Sequence, residues 1–156
     1  MIYRDYLEFE YGLLEIRASE NHLLYLQPTH EKSSIRPNSI TQMTQEQLVD
    51  YFKLRRQSFD LPIKWQGSDF QVQVLQSLQT IPYGQTRTYK EVALSIGNPG
   101  ASRAVGQANH RNPIYVVIPC HRVIATNGQL SGYGGGIEMK KYLLSLEKKG
   151  ATKPKG

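Results

Sequence analysis

The run Val116-Val117-Ile118-Pro119-Cys120-His121-Arg122-Val123-Ile124 places four residues of the wrong kind inside an apolar, β-branched stretch. Its flanks predict a buried strand. Proline at the centre removes a ladder donor, and the polar side chains beside it must find partners in an apolar setting. Such a break in local consistency is expected at a functional site. Cys120 is also the only cysteine of the chain. A lone cysteine is commonly a small buried hydrophobe. Its position directly before a histidine favours a reactive thiol instead.

Upstream of this run, the sequence reads as helices. Ser68-Asp69 opens one, with Phe70, Val74, Leu75 and Leu78 on its apolar face, and Pro82-Tyr83-Gly84 stops it. Thr88-Tyr89-Lys90-Glu91 is a capping box for a short helix ending at Gly97. Asn98-Pro99 predicts the start of the next, with Pro99 at the first helical position. That helix contains Ala101-Ser102-Arg103-Ala104-Val105-Gly106-Gln107-Ala108. Two short helices around a Gly-containing turn make a helix-turn-helix candidate. Its second helix has one long side chain, Arg103. A major-groove reader carries several long polar side chains. This helix suits close approach to a backbone or a minor groove with one inserted arginine, or plain close packing in a core.

Downstream, Asn127-Gly128 is a tight-turn signal. Ser131 to Gly136 is glycine-rich around Tyr133 and lacks the Lys-Ser/Thr ending of a phosphate loop. It reads as a flexible loop or as the wall of a pocket for a planar ligand. The last helix is predicted over residues 137–149. Glu147 near its end is poorly placed for the helix dipole, and a histidine would be a natural partner.

The first part of the chain differs. Tyr6 to Glu10, Leu13 to Arg17 and Leu23 to Leu26 read as short strands of an antiparallel meander. Residues 28–41 read as a loop and residues 44–56 as a helix capped by Thr44. A linker near Trp65-Gln66-Gly67 suggests lobes at residues 1–66 and 67–156. The class is α+β.

Charge divides along nearly the same line. Residues 1–64 hold 8 Lys+Arg and 9 Asp+Glu, net −1. Residues 65–156 hold 11 and 4, net +7, four of the cations being Lys148, Lys149, Lys153 and Lys155 near the C-terminus. A basic lobe beside a near-neutral one suggests a polyanionic partner, nucleic acid first. One cysteine excludes an internal disulfide and suggests a reducing compartment. Neither a signal peptide nor a transmembrane span is expected; the expected location is the cytoplasm.

Together these residues resemble the O6-alkylguanine-DNA alkyltransferase family. Pro119-Cys120-His121-Arg122-Val123 matches its active-site signature, and Arg103-Ala104-Val105-Gly106, Asn112-Pro113, Tyr133 to Gly136 and Glu147 follow in its order and near its spacing. The resemblance is specific over about residues 70–150 and weak before that. It implies a ribonuclease H-like N-terminal lobe and a C-terminal lobe with a winged helix-turn-helix-like motif. It implies that Cys120 accepts an alkyl group, that His121 deprotonates it through a water, and that Glu147 orients the imidazole. Asn112 would brace the adjacent turn, and Tyr89 would press on the phosphate and protonate the leaving guanine. Arg103 would fill the gap left by the flipped nucleotide, on a minor-groove helix formed by Ala101, Ser102, Ala104 and Gly106. Tyr133 and Gly134 would close over the base, and the backbone of Cys120 and Val123 would accept from its amino group. Tyr115 stands where others carry smaller residues or proline and would limit bulky adducts.

The implied partner is double-stranded DNA containing O6-alkylguanine, bound without sequence preference by a monomer. No cofactor is implied. Some members hold a structural zinc partly through cysteines; with no second cysteine here, His22 and His30 alone cannot close such a site, so no metal is expected. Three other readings are weaker. A lesion-binding relative without transfer activity has tryptophan at the nucleophile position. A sequence-specific regulator needs base-reading side chains. A cysteine hydrolase needs an oxyanion hole.

Overall fold

The computed structural model describes residues 1–130 and 133–152. Ser131 and Gly132 of the glycine-rich loop and the last four residues of the basic tail lie outside the described residues. The fold is α+β and divides into two compact units. One comprises Met1–Trp65 with Pro113–Val117, the other Gln66–Asn112 with the described residues from Ile118 onward. The chain thus passes from the first unit to the second near residue 66, returns at Pro113, and leaves again after Val117.

In the first unit, β1 (Tyr3–Phe9), β2 (Gly12–Ala18) and β3 (Leu23–Thr29) form the expected antiparallel meander in the order β1-β2-β3. Register places Leu7 opposite Leu14 and Ile16 opposite Leu26, so one sheet face is apolar. Helix α1 (Ser39–Phe52) packs against all three strands and adds Ile40, Leu48 and Tyr51 to this core. On the other face Glu15 is paired with Arg4 and Arg17, and Arg17 lies over the Tyr25 ring at 3.9 Å.

Helix α1 begins five residues earlier than the sequence reading placed it. Asn38 is the cap: its side chain accepts from the Thr41 N–H while the Thr41 hydroxyl accepts from the Asn38 N–H. That reciprocal box satisfies two otherwise orphaned donors. Thr44 is buried inside the helix, where its hydroxyl donates to the Ile40 carbonyl. The helix stops at Phe52, before the expected Arg56, and Leu54 adopts a left-handed φ of 62°.

In the second unit, α2 (Asp69–Leu78) is capped by Ser68 and α3 (Tyr89–Ser95) by the Thr88–Glu91 box, both as expected. Helix α4 (Ser102–His110) starts later than expected. The Ala101 N–H donates to the Asn98 carbonyl at 3.0 Å, so Pro99 occupies a turn rather than a first helical position. The three helices pack on one another through Val74, Leu75, Leu78, Val92, Ala93, Val105 and Ala108. Helix α5 (Ile137–Ala151) buries Met139 and Leu143. Two short strands, β4 (Arg87–Thr88) and β5 (Val123–Ile124), pair in parallel.

The expected strand through residues 116–124 does not form. The Val117 N–H donates to the Tyr115 carbonyl at 2.8 Å, closing a γ-turn at Val116, whose φ is 70°. This is the rarer, strained form, and for a β-branched residue an outlier. The Cys120 N–H donates to the Ile118 carbonyl at 2.8 Å around Pro119, whose φ of −81° and ψ of 65° match an inverse γ-turn. Proline's fixed φ suits that turn. Cys120–Arg122 then form a single 3-10 turn, and only Val123–Ile124 are extended as a strand.

Helix α5 meets a steric limit at Gly150. A Cβ there would overlap the Tyr83 hydroxyl and lie 2.9 Å from Tyr83 Cζ. Gly150→Ala is therefore expected to cost about 1–3 kcal/mol through overpacking, seen as a lowered thermal midpoint. Gly100→Ala, where a Cβ meets nothing within 4 Å, should leave that midpoint unchanged or slightly raised, because alanine reduces the freedom of the unfolded chain.

Candidate active site

The 3-10 turn carries Cys120, His121 and Arg122 in succession, all buried. Asn112 closes the neighbouring chain: its Nδ2 donates to the Ile118 carbonyl at 2.7 Å, joining the two residues of the second unit that flank Pro113–Val117. Asn109, on the buried side of α4, donates to the Cys120 carbonyl at 3.3 Å. The turn is thus held from both ends by amide side chains.

His121 is fully buried, and its Nε2 lies 2.6 Å from Oε2 of Glu147, which is 1 % exposed. A carboxylate only accepts, so Nε2 carries the proton and Nδ1 keeps the lone pair. Nδ1 has no hydrogen-bond partner among the described residues. Burial lowers the His121 pKa, opposed by the charge and hydrogen bond of Glu147, so the imidazole is neutral. Glu147 is held well below the usual carboxylate range: burial pushes it up, but His121 and Arg122 outweigh that. Arg122 donates through Nε to Oε1 at 2.8 Å and through Nη2 to Oε2 at 3.0 Å. The Gly84 N–H adds a longer bond to Oε1 at 3.3 Å.

Burial pushes the Cys120 thiol up to about 11, against hydrogen bonding from Asn112, the positive charge of Lys140 and the local backbone amides. The resting sulfur is therefore a thiol, and ionising it near neutral pH takes a base. Lys140 is fully buried on α5, donates to the Val123 carbonyl at 2.6 Å and lies 6.0 Å from the Tyr133 ring centroid. Burial lowers its pKa and the Cys120 charge raises it. Tyr89 is half-buried, and burial together with the Cys120 charge raises its hydroxyl pKa. This arrangement is a buried thiol, a neutral imidazole oriented by a carboxylate, and a nearby phenol.

The remaining expected residues lie on several elements. On α4, Arg103 and Ala104 are exposed, Ala101, Ser102 and Gly106 are partly exposed, and Val105, Ala108 and Asn109 are buried. A shallow groove of about 490 Å³ runs along Tyr89, Arg103, Gly106, Gln107, His110 and Arg111. A Cβ at Gly106 would make only ordinary contact with Tyr89, at 3.7 Å. Val123 and Tyr133 are buried and Gly134 is exposed in the turn before α5. Tyr115 belongs to the first unit, where its N–H donates to the Leu26 carbonyl at 2.8 Å.

Sequence reasoning missed Lys140, Asn109 and the part played by Arg122. For Lys140 a signal existed: residues 140, 143 and 147 lie on one helical face that includes the buried Leu143 and Glu147. Asn109 and Arg122 carried no local signal, since their partners lie 11 and 25 residues away.

Glu147→Gln is expected to cost about 3–5 kcal/mol, because it leaves the buried Arg122 guanidinium without its counter-charge. A urea unfolding midpoint reads this directly. Since Glu147 stays ionised below the pH at which an unfolded glutamate protonates, about 4.3, its contribution is complete at neutral pH and is lost as pH falls below that value. The acid limb of the stability profile should therefore be flatter in the Gln variant.

Residues 69–149 match the family described as 6-O-methylguanine DNA methyltransferase, DNA binding domain. A methylated-DNA–protein-cysteine methyltransferase of Methanosarcina barkeri is 43% identical over 153 residues, 94% of this chain and 97% of that protein. The protein of the same name from Mycolicibacterium paratuberculosis is 55% identical over 104 residues, 67% of this chain and 63% of the relative. The crystal structure of Mycobacterium tuberculosis O6-methylguanine methyltransferase superposes with a TM-score of 0.90 at 39% identity, covering 100% of this chain and 97% of that one. The structure of Mycobacterium tuberculosis OGT in complex with DNA gives 0.88 at 40% identity, covering 95% and 94%. With near-complete coverage at that identity, and the thiol–imidazole–carboxylate cluster inside the matched segment, this chain belongs to the methylated-DNA–protein-cysteine methyltransferase family.

Proposed function

We propose that this chain repairs O6-alkylguanine in double-stranded DNA by a single, irreversible transfer of the alkyl group to Sγ of Cys120. The observation that carries the proposal is the His121 imidazole: Nε2 is tied to Glu147, and Nδ1 is a buried lone pair without a partner among the described residues, one residue from a buried thiol. Through a bridging water, Nδ1 takes the thiol proton. Sγ attacks the alkyl carbon, the C–O6 bond breaks, and its electron pair goes to the guanine. The Tyr89 hydroxyl supplies the proton that leaves neutral guanine. The product is a thioether, which does not hydrolyse, so the protein is not regenerated.

The exposed small-residue face of α4 suits close approach to a minor groove, with Arg103 replacing the base that has left the stack. Its lack of base-reading side chains and the +7 charge of residues 65–156 favour phosphate contacts without sequence preference. Tyr133 and Gly134 wall the pocket for the flipped base. Asn112 acts through the turn it braces. The first unit is the ribonuclease H-like companion of the transfer unit, and the working species is a monomer in the cytoplasm.

Intact-protein mass after mixing with O6-methylguanine DNA tests the reaction. A stoichiometric gain of one methyl group, absent in Cys120→Ser while DNA binding persists, is expected; tight lesion binding without a mass gain would replace transfer by damage recognition alone. Arg103→Ala should slow repair in duplex DNA more than transfer from free O6-benzylguanine. Equal slowing of both would remove Arg103 from base flipping.

A further inference from the structure

Arg122 lies outside the thiol–imidazole–carboxylate series, yet every side of its guanidinium is engaged in the interior. Nε and Nη2 grip the two oxygens of Glu147, and Nη1 donates to the Ile81 carbonyl at 2.7 Å. It is 7 % exposed and lies 5.8 Å from the Tyr83 ring centroid. With His121 and Gly84, it gives Glu147 at least four donors, about the capacity of a carboxylate. We infer that Arg122 is a positioning residue of the relay, supplying the counter-charge that lets Glu147 orient His121 without protonating it. This rests on the alkyl-transfer reading, in which Nδ1 is the base.

Charge decides the protonation of the imidazole. A buried carboxylate facing an imidazole alone favours the imidazolium, because the ion pair is better than an isolated anion in a poorly polarisable setting. A proton on Nδ1 would block the base. Arg122 provides the positive charge instead, on a guanidinium that grips both carboxylate oxygens. The groups facing His121 are Glu147 and Lys140 from α5 and Arg122 and Cys120 from its own turn; Tyr83 faces Arg122 and Glu147 from the connection after α2. The positive charges of Arg122 and Lys140 both favour the neutral imidazole. Transfer of the thiol proton to Nδ1 leaves the net charge of the cluster unchanged, so Arg122 acts on the resting state: with it, the neutral imidazole can take that proton. Without it, Glu147 draws a proton onto Nδ1 beforehand, and the thiol loses its base. Loss of Arg122 therefore favours protonated His121 at rest and opposes formation of the thiolate.

The test is the pH dependence of single-turnover transfer from O6-methylguanine DNA, with 15N spectra of the imidazole, in the full chain and in Arg122→Gln and Arg122→Lys. In the unaltered protein His121 should carry its proton on Nε2 alone at neutral pH. Arg122→Gln should show imidazolium there, with transfer slowed on the order of tenfold or more for each unit the profile moves, recovering at alkaline pH. Arg122→Lys, which keeps the charge but loses the fork, should keep a neutral imidazole and a nearly unmoved profile. Equal loss at every pH in Arg122→Gln, with His121 spectra unchanged, would reduce Arg122 to a structural ion pair. If Arg122→Gln does not fold, the Lys variant decides: an alkaline-shifted profile with imidazolium at neutral pH would overturn the charge argument. Should the unaltered protein gain no methyl group, the transfer reading fails, while the imidazole spectra still decide what Arg122 does.

Discussion

The Glu147 carboxylate is the point on which the second unit turns. Three segments far apart in sequence meet there: the Gly84 N–H after α2 and His121 and Arg122 on the 3-10 turn donate, and α5 brings the carboxylate itself. A buried charge is tolerated only when paired and hydrogen-bonded, so these segments must be in place together. The same constraint explains a helix that carries an acid near its C-terminus, against its dipole. The proposed relay and the fold share one group, so a change to Glu147 would alter the local electrostatics of both.

Lys140 extends this cluster. A fully buried ammonium on the same helix face places a second cation near Cys120, and its bond to the Val123 carbonyl ties α5 to β5. The Cys120 and Val123 carbonyls, which the family resemblance assigns to the guanine amino group, are already hydrogen-bonded by Asn109 and Lys140. A carbonyl has two lone pairs, so a base bound as the resemblance implies would share these acceptors with side chains that also hold the turn. Asn109 belongs to α4, whose outer face carries Arg103. The helix proposed to meet DNA therefore touches the Cys120 backbone through its buried face.

Why the segment before Cys120 abandons strand geometry follows from its bonding. Two γ-turns, at Val116 and Pro119, reverse the chain where alternating β-branched residues would have extended it. Asn112 replaces the lost ladder with a side-chain bond to Ile118. Proline, disruptive in a strand, is suited to the second of these turns. The residues that argued against a regular strand are the ones that build the turn presenting the thiol.

What the sequence determined by itself was local. The meander, the Ser68 and Thr88 caps and the last helix follow from periodicity and capping chemistry within a few residues, and the reactive quartet Pro119 to Arg122 declared itself by breaking its surroundings. Local signals misled where a better partner stood nearby: Asn38 with Thr41 outcompeted Thr44, and the Asn98 carbonyl held Pro99 in a turn. Only the tertiary structure decided that residues 113–117 return to the first unit, that Arg122 grips Glu147 and that Lys140 lies buried near the thiol. These are long-range choices. A charged side chain is exposed by default, and only the full set of buried partners makes its burial affordable.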